Sequence, residues 1–175
     1  MRKLHPETIA IRTQTERSSQ NEHSVPLYLT SSFVFENAES MRAAFADEND
    51  DNIYSRFSNP NADEFAEKVR LLEGAEAGWA TASGMAAVYS ALCKNGDEII
   101  SGRQVFGSTH TVFTKILPKF GIQTKYVDCT KPESWQSAVT PNSKLFYLET
   151  PTNPGIEIAD LEKAVAFAKK NKLIL

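Results

Sequence analysis

DEIISGRQVFGSTHTVFTKILPKFGIQTKYVD, residues 97–128, decides the fold class. Its ends, DEIISG and IQTKYVD, are apolar runs of strand length, and STHTVFTKILPKFG between them has the length and spacing of a helix. A strand, a helical connection and a second strand make a βαβ unit, in which the two strands run parallel. The alternation continues downstream as PESWQSAV (helix), KLFYLE (strand), DLEKAVAFAKKN (helix) and KLIL, the start of a further strand. Upstream, DEFAEKVRLLEG puts Phe65, Ala66, Val69 and Leu72 on one helical stripe, with Gly74 at the C-terminal cap position. AGWATA (77–82) predicts a short buried strand, and SGMAAVYSALCKNG (83–96) an apolar helix ending at Gly96. The fold class is therefore α/β: a mostly parallel sheet with helices on both faces.

Residues 1–62 read differently. Polar TQTERSSQNEH, the apolar run SVPLYLTSSFVF and the acidic turn DENDDN suggest an arm with loops and one short helix near Ala38–Ala46, without a core of its own. At the other end, KLIL enters a buried strand and the chain stops there. Backbone groups of a central strand need partners, so the sequence is expected to be a truncated piece of a longer α/β domain.

Composition narrows the function classes. The chain has 175 residues, 19 Lys and Arg against 22 Asp and Glu, a net charge of −3 and 41% hydrophobic residues. That is the balance of a globular domain, and without a basic cluster nucleic acid is not an expected partner. No apolar run spans a bilayer and the polar start lacks a signal-peptide core, so a cytoplasmic protein with no membrane partner is expected. Cys93 and Cys129 read as reduced core thiols, and His5, His23 and His110 show no metal-ligand spacing.

Four short motifs carry candidate chemistry. At the turn from AGWATA into SGMAAVY, Ser83 can cap the helix and Gly84 allows close approach, while the first amides, including that of Met85, are left without helical acceptors. This suits a phosphate, and equally an ordinary capped helix. In YSRFSNPN (54–61), Arg56 offers a planar charged fork and Tyr54 a phenol, on a stretch that also reads as a surface turn. ETPTNP (149–154) follows the strand KLFYLE and delivers Glu149 and Asn153 to the edge where ligands of open α/β sheets sit, or is simply a proline-rich turn. In VFGST (105–109), Phe106 could lie against a flat ring or belong to the core. Neither G-x-G-x-x-G nor G-x-x-x-x-G-K-[ST] is present, so dinucleotide and triphosphate sites lack support.

Together and in order, YSRFSNPN, LEGAEAGWATASGMAA, VFGSTHTVF and ETPTNP resemble the landmarks of the pyridoxal-phosphate enzymes of cysteine and methionine metabolism. These include cystathionine γ-synthase, cystathionine and methionine γ-lyases and the homoserine-ester sulfhydrylases. The resemblance runs from about His5 to Leu175. LTSSFVFENAES with ATASGMAA and VFGST is most similar to the sulfhydrylases acting on O-succinylhomoserine.

The resemblance implies the fold-type I, aspartate aminotransferase-like large domain, with residues 1–62 as an arm making dimer contacts and 63–175 as its first, incomplete part. It implies pyridoxal 5′-phosphate as cofactor and a small amino acid as substrate, in a homotetramer of dimers with shared sites. Ser83, Gly84 and Met85 would hold the cofactor phosphate, and Tyr54 and Arg56 would reach the phosphate of the neighbouring subunit. Phe106 would stack on the pyridine ring, with Glu149 and Asn153 near it. The implied reaction is γ-replacement: O-succinylhomoserine and sulfide give homocysteine and succinate, a step of methionine biosynthesis. The γ-synthase and γ-lyase activities are the alternatives within the family, and a non-catalytic α/β fragment the alternative outside it.

Two departures stand out: Phe106 where the lyases usually carry Tyr, and Asn61 where Thr is usual. The family's pyridinium-pairing Asp, Schiff-base Lys and substrate-carboxylate Arg are expected beyond Leu175. None of the lysines stands in the family's Ser-x-Thr-Lys context. The 175 residues alone are therefore expected to be inactive.

Overall fold

The computed structural model of the chain describes residues 4–12, 15, 17–90 and 94–175. They form two compact units, divided between Ala80 and Thr81.

The first unit holds three helices, α1 (Pro6–Ile11), α2 (Ala38–Phe45) and α3 (Pro60–Glu73). α2 is the short helix expected near 38–46. It starts in a capping box, Asn37 accepting from the Ser40 amide at 2.9 Å while Ser40 Oγ takes the Asn37 amide at 3.3 Å. α3 starts with Pro60 in its first turn, where a missing N–H costs nothing, and ends at Gly74 in the left-handed conformation at φ 62°.

The face α3 buries is not the expected one. Phe65 (60%), Val69 (41%) and Leu72 (46%) are exposed, and the residue α3 does bury is Glu64. Its carboxylate accepts from both the amide and the hydroxyl of Thr15 at 3.0 Å and pairs with Lys68 at 3.4 Å. The arm, together with α1 packed on α3, thus covers a polar side of the helix and leaves the apolar stripe in solvent. Asn61 also has a structural account: Oδ1 accepts the Tyr28 amide at 2.9 Å and Nδ2 donates to the Pro26 carbonyl at 2.7 Å. One side chain therefore pins extended arm backbone to the start of α3.

The second unit is the α/β part. Strands β1 (Glu98–Gly102), β2 (Gln123–Val127) and β3 (Ser143–Tyr147) form a parallel sheet in the order β2-β1-β3. Ile174 of KLIL bridges to Leu145 in parallel, with its amide donating to the Lys144 carbonyl at 2.8 Å and its carbonyl accepting the Phe146 amide at 2.7 Å. The expected strand start is thus paired at the outer side of β3.

Adjacent residues of β1 point to opposite faces. Ile99 joins Val112, Phe113, Leu117, Ile122 and Leu145 in one core, while Ile100 joins Val127, Trp135, Phe146, Ala164 and Ala168 in the other. The first core is roofed by α4 (Gly84–Tyr89), α5 (Gly107–Thr111) and the turns after α5, the second by α6 (Pro132–Trp135) and α7 (Leu161–Asn171). Helices therefore cover both faces, as expected.

Three expectations are corrected. AGWATA is not a strand: no described strand pairs with it and Trp79 is 87% exposed. β1 is already flanked on both sides, and this run of mostly small residues buries little surface that could hold it down. The helix expected to reach Gly96 does not extend that far: α4 spans Gly84–Tyr89, the amide and hydroxyl of Ser90 both donate to the Ala86 carbonyl at 2.9 and 2.8 Å, and residues 94–96 are not helical; residues 91–93, with Cys93, lie outside the described residues. The helix expected over 108–121 is three pieces. α5 widens into a π turn at Val112–Ile116 and then tightens into a 3-10 turn at Leu117–Phe120. Pro118, which has no N–H to donate one turn back, accounts for the change of pitch. No helix among the described residues is long and apolar enough to cross a membrane.

Candidate functional site

The connection leaving β1 runs over one face of the sheet and the connection leaving β3 over the other, so the two neighbouring strands part company at their carboxyl ends. A crevice opens at such a switch point, where open α/β sheets take their ligands. The loops that meet there are the ones carrying VFGST and ETPTNP.

Their meeting is direct. Glu149 Oε2 accepts the backbone N–H of Phe106 at 2.8 Å, and Oε1 accepts the Tyr147 hydroxyl at 3.0 Å and the Thr109 hydroxyl at 3.2 Å. Two expected site residues 43 positions apart are thus tied by one hydrogen bond. Phe106 is the residue before α5, has no side-chain cap to offer, and keeps 47% of its surface exposed. Thr109 and Tyr147 were not singled out by the sequence. The signal was periodicity: Tyr147 lies two residues before Glu149 on the same side of the strand, and Thr109 one helical turn after Phe106. Burial and the adjacent Glu149 carboxylate push the Tyr147 phenol up to about 12, so it stays a donor.

Asn153 is not brought into this group. It is exposed on a turn that contains the cis peptide bonds Thr150–Pro151 and Asn153–Pro154. The turn is organised around buried Thr152, whose amide donates to the Glu157 carbonyl at 3.0 Å and whose hydroxyl accepts the Glu157 amide at 2.9 Å.

Ser83, Gly84 and Met85 form the start of α4 as expected. Ser83 Oγ accepts the Ala86 amide at 3.1 Å, which leaves the amides of Gly84 and Met85 without intrahelical acceptors. Met85 packs partly buried on the core that includes Phe113 and Leu117, and α4 contacts α5. Tyr54 and Arg56 belong to the first unit. The Arg56 guanidinium lies over the Tyr54 ring at 4.5 Å, Phe57 meets that ring edge-on at 6.4 Å, and Tyr54 bridges to Ser32. The pair is thus presented by a turn stabilised from within its own unit.

These features fit a phosphorylated, flat heteroaromatic group. A Cβ placed on Gly84 or on Gly107 would meet nothing within 4 Å, so the space at both helix starts is open. Gly84 and Met85 amides suit a phosphate, and the half-exposed Phe106 face suits a ring.

Comparison with known proteins points the same way. Residues 7–175 match the model of the family described as Cys/Met metabolism PLP-dependent enzyme. The chain is 40% identical over 172 residues to an O-succinylhomoserine sulfhydrylase of Pseudomonas aeruginosa, covering 97% of this chain and 43% of that protein. It is 40% identical over 152 residues to an L-methionine γ-lyase of Porphyromonas gingivalis, covering 85% and 38%. In three dimensions it matches a Campylobacter jejuni protein assigned as an O-acetylhomoserine (thiol)-lyase, whose structure contains N′-pyridoxyl-lysine-5′-monophosphate. The TM-score is 0.93 at 34% identity, over 98% of this chain and 43% of that one. The chain thus spans less than half the length of the relatives it matches. The chain belongs to the pyridoxal-phosphate-dependent enzymes of cysteine and methionine metabolism.

Proposed function

We propose that the whole protein carries out γ-replacement on an activated homoserine ester, with O-succinylhomoserine and sulfide giving homocysteine and succinate. The observation that carries this reading is Phe106 at the switch point, half-exposed and tethered through its own backbone to Glu149. A benzyl side chain can stack on a ring but can neither give nor take a proton. The lyases of the family usually place a phenol there, so Phe106 favours replacement over elimination at the γ-carbon. At the same 40% identity, the match to a succinyl-ester sulfhydrylase extends over more of the chain than that to an L-methionine γ-lyase, 172 residues against 152.

When bound, the cofactor supplies an electron sink for charge developing at the substrate Cα. Ser83, Gly84 and Met85 hold its phosphate through a hydroxyl and helix-start amides. Tyr54 and Arg56 add a phenol and a permanent positive charge at the phosphate of the neighbouring subunit, so that sites are shared in a dimer of dimers. Phe106 covers one face of the ring and keeps water from it, and Glu149 stands at its edge. The proton-moving lysine is supplied from outside these 175 residues, and the chain alone is inactive. The setting is cytoplasmic.

The test is a comparison of nucleophiles with the full-length protein. Homocysteine formed from O-succinylhomoserine and sulfide, at a rate well above that with cysteine, supports the proposal. Preferential formation of cystathionine, or of a keto acid from methionine, replaces it with the synthase or lyase reading. The second of these has a specific motive in the 40% identity to an L-methionine γ-lyase.

A further inference from the structure

We propose that Tyr147 and Thr109 are positioning residues which, through Glu149, fix the Phe106 ring, and that Glu149 serves the site by holding α5 and not as an acid or base. The proposal rests on the reading of Phe106 as the ring-stacking residue.

Glu149 is engaged on both oxygens, by the Phe106 amide on Oε2 and by two hydroxyls on Oε1. An ionised carboxylate only accepts, and one engaged by three donors is a poor proton carrier. What it does instead follows from α5. This helix has five residues, and the residue before it, Phe106, has no side chain able to cap it. Its first amides need an acceptor from elsewhere, and the loop after β3 supplies one. A charge-assisted bond to the backbone of Phe106 itself then sets where that residue's Cα, and so its ring, can go.

The anchor is in turn packed into the core. The Tyr147 ring meets Phe113 edge-on at 5.1 Å and 87°, Phe113 is 1% exposed, and Tyr147 packs on the same core. Thr109, also 1% exposed, approaches the same oxygen from within α5, so the carboxylate is gripped by strand and helix together. Burial and the neighbouring carboxylate raise the Tyr147 phenol, which keeps it a donor to Glu149.

The experiment uses the full-length protein and two readouts. Hydrogen exchange of the segment 103–110 is measured by mass spectrometry in wild type, Glu149→Gln and Tyr147→Phe, with β1 as the internal control of folding. Faster exchange in this segment is expected, by about ten- to a hundredfold for Glu149→Gln and by less for Tyr147→Phe, with β1 unchanged. If Glu149→Gln disturbs β1 as well, Tyr147→Phe, which keeps the ring against Phe113, decides. The second readout is the dissociation constant for pyridoxal phosphate, with the visible circular dichroism of the bound cofactor, in Glu149→Gln, Phe106→Leu and the double variant. If Glu149 acts through Phe106, the double variant is no worse than Phe106→Leu alone. Additive losses, or unchanged exchange in Tyr147→Phe, overturn the proposal. A wild-type protein that binds no pyridoxal phosphate defeats the proposed function instead, and the exchange readout still judges the clamp.

Discussion

Phe106 and Gly102, four residues apart, show how much a single side chain decides at the carboxyl edge of β1. If Phe106 only stacks, Phe106→Tyr keeps pyridoxal phosphate bound and leaves γ-replacement within a few-fold of wild type, while keto-acid release from methionine rises. Loss of cofactor binding in this variant would show that the site cannot accept a hydroxyl there. Gly102 is needed for space: a Cβ at this position would fall on the sulfur of Cys129. Gly102→Ala is expected to destabilise the fold by about 1–3 kcal/mol, read from urea unfolding, because overpacking forces backbone or thiol to move. Adding Cys129→Ala should recover part of the loss; if it does not, the clash is elsewhere. Cys129 is free and buried, as the reduced core thiol expected from the sequence, and its thiol is pushed up to about 11 by that burial. The site residues were legible to different degrees. Phe106 and Glu149 stood in recognisable motifs. Thr109 and Tyr147 were hidden, because a Thr in a helix and a Tyr in a strand look like packing until a third residue from another element arrives between them.

At the scale of elements, the amino end of the sheet holds a polar tie. Glu98, the first residue of β1, accepts from Lys125 of β2 at 3.0 Å and from the Thr140 hydroxyl ahead of β3. The Thr140 hydrogen bond, and then Lys125, hold the Glu98 carboxyl below its ordinary 4.5. A group whose pKa is depressed by folding stabilises the fold above its unfolded value and loses that contribution as pH falls through the folded one. Stability should therefore drop as pH is lowered from about 4.5, and Glu98→Gln should flatten that part of the curve in urea titrations at stepped pH. An identical acid limb in wild type and variant would place the sensitivity in other carboxylates. The parallel strands, the left-handed Gly74 and the short helix at 38–45 followed from local pattern. The pitch changes after α5, the early end of α4 and the loop at AGWATA did not. Apolar periodicity records which residues want burial, not where a proline changes the pitch or whether a strand finds a free neighbour.

For the whole molecule, the decisive question is where the cofactor is anchored. The chain spans 43% of a sulfhydrylase that it matches at 40% identity, and none of its lysines has the family's expected context. Pyridoxal phosphate added to the 175-residue chain and reduced with borohydride should label surface lysines in a scattered, substoichiometric way, as mapped by mass spectrometry. A stoichiometric adduct on one lysine would overturn this. The sequence by itself determined the βαβ alternation, the two-faced sheet and the family, since periods of two and 3.6 residues and ordered motifs are local properties of a chain. Only tertiary structure decided that α3 turns Glu64 inward and leaves Phe65, Val69 and Leu72 outside, and that Glu149 closes on Phe106 across 43 residues. Both depend on which surfaces the folded chain brings within about 3 Å of each other, and hydrogen bonds and burial at that range carry no mark in the sequence between them.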